Sequence, residues 1–183
     1  ADLAKSTKSE LFAKAHPGRF FEMGISEANM IGTAAGLSFM GYVPFLCSFG
    51  CFLTGWYDTI RMSVAYAGAN VRLIGTHAGV RIGDAREFGA VGQADVGIGD
   101  DGHSQMGLED ISLMRALPTM GVFQPMDAQE TEHLMDYLVK EWKGPAYVRL
   151  TRQNLPDFYP KGKAFRPLEL LCLKPAEGAK TRV

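Results

Sequence analysis

The chain has 183 residues, of which 46% are hydrophobic and 21% are charged, and its formal net charge is −1. This size and composition are typical of one soluble globular domain that buries a core without disulfide or metal staples. Because acidic and basic residues are interspersed, neither nucleic acid nor a membrane surface is expected as a partner.

The first half of the chain alternates extended and helical patterns. Residues 1–18 are polar and predict a loop with one helical turn, and residues 19–23 predict a short strand. From Ser26, apolar and small residues recur at helical spacing until Gly41, which predicts a helix. A buried strand is predicted at residues 42–48.

A turn broken by glycine is predicted at residues 49–52, and a second helix follows that ends at Gly68. Residues 71–75 predict another strand. The strand leads into a long loop, rich in glycine and aspartate, that reaches about Met106. This loop is unlike the rest of the chain.

The second half repeats the alternation. Apolar spacing predicts a third helix from Ile111 to Leu117 and a short strand at residues 121–123. Asp127 and Glu130 have the spacing of a capping box, which predicts the start of a further helix. The last clear strand is predicted at residues 146–150.

Strands that alternate with helices over short connections predict an α/β domain, with a mostly parallel sheet and helices on both faces. In such sheets ligands bind beyond the carboxyl ends of the strands. Each unusual side chain follows a predicted strand and is expected on one rim. These side chains are Glu27, Phe49, Phe52, His77 and Arg152.

Glu27 is the residue that most needs an explanation. It precedes a run with no charged side chain, from Ala28 to Tyr57, which is interrupted by glycines and a proline and predicts core or a subunit interface. A carboxylate beside so much apolar chain is a candidate for acid–base chemistry. Alternatively, Ser26 caps a helix and Glu27 faces the positive end of its dipole.

The other rim residues also have structural explanations. His77 lies between small residues that leave room for a ligand, or its ring is satisfied by the local backbone. Phe49 and Phe52 could stack on a flat heterocycle or pack in the core. Arg152 could hold a phosphate or carboxylate, or be a solvated charge.

Other site classes lack support. Residues 100–105 cluster acids and a histidine in no recognised metal-ligand spacing, so no metal site is predicted. No phosphate-binding loop and no dinucleotide fingerprint occurs. Cys47, Cys51 and Cys172 form no metal pattern and predict packing thiols in a reducing cytoplasm, and no secretion signal begins the chain.

Short motifs in a fixed order carry a family resemblance. They are Ala1-Asp2-Leu3-x-x-Ser6, Phe20-Phe21-x-x-Gly24-Ile25-x-Glu27-x-Asn29-Met30, Phe45-x-x-Ser48-Phe49-x-x-Phe52, Gly75-Thr76-His77-Ala78-Gly79, Asp101-Gly102 with Glu109-Asp110, and Leu150-Thr151-Arg152-Gln153-Asn154. Together they resemble the pyrimidine-binding domain of transketolase, a thiamine-diphosphate enzyme that moves two-carbon ketol units between sugar phosphates. The resemblance predicts this domain over residues 1–155 and an irregular tail over 156–183.

In that family, the acid that matches Glu27 hydrogen-bonds N1′ of the cofactor's aminopyrimidine. The resemblance implies that Glu27 favours the 4′-imino tautomer, whose nitrogen removes the C2 proton of the thiazolium. It also implies cofactor contacts for Asp2, Phe49 and Phe52. Substrate contacts are implied for Ser6, His77, Asp101 and Arg152, with His77 also catalytic.

The chain departs from the family pattern in two places. Gln105 stands where the family usually has a substrate histidine, and His103 lies two residues earlier. Either His103 takes over as the catalytic histidine, with Gln105 at the substrate, or protons are handled differently. Residues 81–96 predict an inserted loop, because residues 80–84 resemble residues 96–100 as a local duplication would.

The family's diphosphate-binding domain is missing from this sequence. The resemblance therefore implies a subunit or fragment of a split transketolase, inactive by itself, that works in a homo- or hetero-oligomer with a diphosphate-binding chain. Magnesium ligands are expected on that partner. The alternatives are a related thiamine-diphosphate enzyme, such as deoxyxylulose-phosphate synthase or a 2-oxoacid dehydrogenase β-subunit, and a non-catalytic dimerisation module.

Overall fold

The computed structural model describes residues 1–79 and 105–152, whose strands form one four-stranded sheet. The strands are β1 (Phe45–Phe49), β2 (Arg72–Thr76), β3 (Gly121–Phe123) and β4 (Ala146–Arg149). They lie in the order β1-β2-β4-β3, and every neighbouring pair is parallel. The predicted α/β class with a mostly parallel sheet is confirmed.

The helices of the described residues lie between these strands and before β1. They are α1 (Glu10–Ala15), α2 (Glu27–Phe39), α3 (Gly50–Thr54), α4 (Tyr57–Thr59), α5 (Asp110–Arg115) and α6 (Ala128–Lys140). A 3-10 turn (Pro17–Arg19) precedes α2, and a π-helix (Ile60–Tyr66) continues from α4. None of these helices is long and apolar enough to cross a membrane.

Side chains alternate across the sheet and build a hydrophobic cluster on each face. On one face, Leu73 and Tyr147 pack with Ile31 of α2 and other residues of the helices around it. On the opposite face, Ile74 and Val148 pack with residues of α6. The sheet is therefore covered by helices on both sides, as predicted.

Helix α6 begins at the predicted capping box. The Asp127 carboxylate accepts a hydrogen bond from the Glu130 backbone N–H at 2.8 Å, and the Glu130 carboxylate accepts one from the Met126 backbone N–H. These bonds satisfy N–H groups that have no partner within the helix.

The far end of α6 is held by Arg72, a fully buried arginine of β2. Its guanidinium group donates hydrogen bonds to the backbone oxygens of Leu138, Trp142 and Gly144 at 2.7 to 3.0 Å and to the Asn70 side chain at 3.0 Å. Burial lowers the pKa of Arg72 to about 10, which leaves the group charged at neutral pH. A cation at the C-terminal end of a helix also interacts favourably with the partial negative charge of the helix dipole there.

Two sequence predictions were wrong. Residues 19–23 form no strand: Pro17 starts a 3-10 turn, and Phe20 is extended but pairs with no described strand. Residues 49–52 are not a turn, because Gly50 begins α3 directly after β1. Gly50 serves close packing instead, since a Cβ there would lie 3.0 Å from both the Ala78 Cβ and the Tyr147 hydroxyl.

The predicted second helix is present with an altered winding. Its buried residues Val64 and Ala65 follow the buried Ile60 by four and five positions, and this spacing suits the wider turn of a π-helix. The predicted insertion at residues 81–96 and the tail at 156–183 lie outside the described residues.

Candidate functional site

The carboxyl ends of β1, β2 and β4 lie side by side, because Phe49 of β1 is in register with Thr76 of β2, and Gly75 with Arg149 of β4. We call Phe49, Thr76 and His77, which lie at the ends of β1 and β2, the strand-end rim. This is the edge at which parallel sheets bind ligands.

Aromatic rings stack at the strand-end rim. The ring centroids of Phe49 and His77 are 3.8 Å apart with an interplanar angle of 24°, and those of Phe49 and Phe52 are 5.4 Å apart at 15°. Phe49 is buried and Phe52 is half-buried. The structure therefore brings together three of the predicted site residues, with Phe52 partly accessible at the end of the stack.

The His77 imidazole is held by the residue before it. The Thr76 hydroxyl lies 3.0 Å from His77 Nδ1 and 3.4 Å from the Ser48 carbonyl oxygen. If the hydroxyl donates its single proton to that carbonyl, Nδ1–H donates to the hydroxyl oxygen and the ring lone pair is on Nε2. His77 also has a backbone φ of 54°, which residues other than glycine rarely adopt.

Glu27 lies in the first turn of α2, where its charge faces the positive end of the helix dipole. Ser26 occupies the N-cap position, but its side chain makes no capping hydrogen bond. Glu27 is half-buried, and within the described residues its carboxylate forms no hydrogen bond or ion pair.

Glu27 does not follow a strand, because the strand predicted at residues 19–23 is absent. In the part of the chain that the structure describes, no hydrogen bond, ion pair or ring contact joins Glu27 to the Phe49–His77 stack. A ligand that touches both would have to bridge them.

The remaining predicted site residues lie in other segments of the chain. Asp2 and Ser6 are exposed in the N-terminal segment, and Gln105 and Arg152 are half-buried. Asp101 and His103 lie outside the described residues.

A buried polar cluster lies below the rim, and the sequence interpretation gave it no role. Asp110 is fully buried and accepts a hydrogen bond from the Tyr147 hydroxyl at 2.8 Å, while Arg149 lies 3.1 Å from its other oxygen. Burial and the Asp110 carboxylate raise the pKa of Tyr147 far above its ordinary value. The available signal was alternation: in the predicted last strand, Tyr147 and Arg149 share one face.

The cluster packs against glycine backbone. A Cβ on Gly75 would lie 2.2 Å from the Tyr147 hydroxyl oxygen, and one on Gly107 would lie 3.0 Å from the Cys51 backbone nitrogen. Cys51 is half-buried, and burial raises the pKa of its thiol. Gly75 therefore lets the Tyr147 hydroxyl approach β2 closely, and Gly107 lets its own segment approach the start of α3.

Gly75→Ala is expected to destabilise the chain by about 1–3 kcal/mol, because the new methyl group must displace the buried Tyr147 ring. The free energy of unfolding in urea measures the loss. Gly18→Ala is the control, because a Cβ there meets nothing within 4 Å. Equal stability of the two variants would contradict the packing described for Gly75.

An open depression of 480 Å³ lies beside β3 and is lined in part by Ile111, Arg115 and Gln124. It contains none of the predicted site residues. Among residues 1–79 and 105–152, no group of three metal-ligating side chains occurs.

A comparison of the sequence with models of protein families finds a family that matches it. The family model "Transketolase, pyrimidine binding domain" matches residues 1–87 and 81–157. The two matched segments meet in the stretch where the sequence predicts an insertion.

Curated relatives point the same way. A putative transketolase C-terminal section of Methanocaldococcus jannaschii is 40% identical over 160 residues, 87% of this chain and 45% of that protein. A 6-deoxy-6-sulfo-D-fructose transketolase subunit of a Clostridium species is 36% identical over 84% of this chain and 42% of the relative. Human transketolase is 37% identical over 90% of this chain and 24% of its own length. The chain thus spans less than half the length of each relative.

A solved structure described as "Split gene transketolase, inactive beta4 tetramer" has a TM-score of 0.71 and 40% identity, over 91% of this chain and 48% of the solved chain. Transketolase from Leishmania mexicana has a TM-score of 0.60 and 25% identity, over 74% of this chain and 18% of the solved chain.

Proposed function

The chain belongs to the transketolase family through the pyrimidine-binding domain, and from this we propose that it is one subunit, or part of one, of a thiamine-diphosphate-dependent transketolase. In this proposal it transfers two-carbon ketol units between sugar phosphates when another chain supplies the diphosphate-binding domain. The half-buried Glu27 carboxylate, which no described side chain pairs with, carries the proposal.

The residues at the site suit a flat aminopyrimidine. Phe52 is partly accessible beside Phe49 and offers a ring face, and a carboxylate such as Glu27 can hydrogen-bond a ring nitrogen. Thiamine diphosphate, once bound, would supply the carbanion chemistry that amino-acid side chains lack. Glu27 would hold or give the proton at the pyrimidine nitrogen, and the phenylalanines would orient the ring and exclude water.

His77 is proposed to act on the substrate side of this site. Its ring is fixed by the Phe49 stack and by Thr76, so Nε2 has a defined direction. Arg152 and Gln105 would add a cation and an amide for substrate oxygens. Asp2 is proposed near the cofactor and Ser6 at the sugar phosphate, and magnesium ligands are assigned to the partner chain.

The proposal has a direct test on the complete chain. By calorimetry with thiamine diphosphate and magnesium, we expect weak or no binding to the chain alone and tight binding after a transketolase diphosphate-binding chain is added. The mixture should transfer ketol units from a ketose phosphate donor. Transfer from pyruvate would instead indicate a related thiamine-diphosphate enzyme. A mixture that assembles without any transfer would indicate a non-catalytic module.

We propose that the exposed face of α2 contacts the partner subunit. The face carries no charge, and its residues Asn29, Gly32, Thr33 and Gly36 are exposed. It begins two residues after Glu27, which in this proposal meets a cofactor held by another chain.

Gly36→Lys is expected to weaken assembly by about tenfold or more, because it buries an unpaired charge in this interface. The isolated fold should persist, since a Cβ on Gly36 meets nothing within 4 Å and lysine forms helix better than glycine. Sedimentation velocity measures the association of this chain with the diphosphate-binding partner. The control is Ser112→Lys, on the exposed side of α5. Unchanged association of the Gly36 variant would place the interface elsewhere.

A further inference from the structure

The turn that carries His77 is tied to the segment that carries Gln105 through one backbone carbonyl. The Gly107 oxygen accepts a hydrogen bond from the Gly79 N–H at 2.8 Å and one from the Arg149 guanidinium group at 3.5 Å. Ala78 and Gly107 also form an isolated parallel bridge. These contacts join the chain on both sides of residues 80–104.

His77 needs such support. A non-glycine residue at a φ of 54° is strained, and the conformation persists only where neighbouring structure determines it. Before His77, Gly75 packs under the Tyr147 hydroxyl. After it, a Cβ on Gly79 would lie 3.2 Å from the Arg149 guanidinium carbon, so the backbone runs directly over that group.

The Asp110–Arg149 ion pair beneath the turn is expected to contribute little net stability. Asp110 is fully buried and the Arg149 side chain is 14% exposed. Removing both charges from water offsets much of their attraction, and such pairs are often no more stabilising than apolar residues of equal size. The pair does restrict geometry, because the planar Arg149 guanidinium group is held 3.1 Å from a carboxylate that is itself buried.

We propose that Asp110, Tyr147 and Arg149 form a positioning cluster that sets the distance and orientation between His77 and Gln105. The inference rests on the proposed function, in which both residues face the substrate. The cluster residues lie below the rim and act through the Gly79–Gly107 contact. Ligand affinity therefore depends on this cluster separately from its effect on folding.

The test replaces the ion pair by apolar residues of similar size, Asp110→Leu with Arg149→Met, in the complex with a diphosphate-binding chain. The unfolding midpoint should fall only moderately, because no unpaired charge remains but the buried Tyr147 hydroxyl loses its Asp110 acceptor. The KM for the sugar phosphate should rise about tenfold or more through misplacement of His77, with a smaller change in kcat. The exposed pair Asp58 and Arg61 is the control, as Asp58→Leu with Arg61→Met, and should leave KM unchanged.

A wild-type KM in the ion-pair variant would overturn the proposal. If that variant does not fold, Tyr147→Phe and Arg149→Lys are measured in the same way, and wild-type KM values in both folded variants would overturn it.

A second readout needs no catalysis, so failure of the positioning cluster can be told from failure of the proposed function. In the full chain, NMR should show the His77 imidazole protons shifted by the Phe49 ring, whose centroid is 3.8 Å away. His77→Asn identifies these signals by their loss. In the ion-pair variant they should move toward the values of an exposed histidine. Unchanged shifts would exclude positioning even if the complex proved inactive.

Discussion

Glu27→Gln is expected to reduce ketol transfer by the assembled enzyme about 10²- to 10⁴-fold, the usual contribution of a positioned acid–base group. Glutamine keeps the size of the side chain and its hydrogen bonding, but an amide does not hold or give a proton as a carboxyl group does. Binding of thiamine diphosphate, measured by calorimetry, should change much less than turnover.

Glu10→Gln is the control, because Glu10 occupies the first turn of α1 as Glu27 does that of α2; Glu10 also forms a surface ion pair with Lys14, which contributes little. Each substitution should cost about 0.3–1 kcal/mol of helix-dipole stabilisation. If Glu27 only stabilises its helix, both variants will lose similar stability and retain activity. That result would show that Glu27 has no catalytic role, and it would favour the alternative in which the chain is a non-catalytic module.

Arg72→Met is expected to have the largest effect on folding. It removes the donors for the carbonyl oxygens of Leu138, Trp142 and Gly144, and each buried acceptor left unpaired costs about 1–3 kcal/mol. A total loss of about 3 kcal/mol or more is a large part of the stability of a typical domain. Urea unfolding, at one protein concentration for all variants, measures it.

Arg61→Met is the control, because Arg61 is half exposed and its ion pair with Asp58 lies on the surface. Its cost should be about 0.5 kcal/mol or less. Arg72→Lys should fall between the two variants, since one ammonium group cannot replace the planar fork that spans these carbonyls. A loss of less than about 1 kcal/mol in Arg72→Met would contradict the role given to this arginine.

The elements that could be predicted were those with a strong local signal. Periodicity predicted α2, the capping box predicted the start of α6, and the strand at residues 121–123 has the predicted bounds. The errors at residues 19–23 and 49–52 came from features that are not local. Phe20 is extended but finds no described partner strand, and Gly50 is packed by Tyr147 from a distant strand.

In the candidate site, too, some features were predictable from local sequence patterns and others were not. The sequence placed Phe49 and His77 after adjacent parallel strands, and the structure stacks their rings. Their roles, and those of Glu27 and Arg152, stay predictions. Alternation along the last strand places Tyr147 and Arg149 on one face, but no local pattern links them to Asp110, because the acid and its tyrosine donor are 37 positions apart.

By itself, the sequence determined the family, the α/β class and the identity of Glu27 as the carboxylate to test, because motif order and hydrophobic period are local properties of a chain. Only the tertiary structure decided that the buried Arg72 donates hydrogen bonds to carbonyl oxygens up to 72 positions away. It also decided that His77 is held in a strained backbone conformation. Burying a charge or keeping backbone strain requires partners from remote segments, and those partners exist only after the sheet has formed.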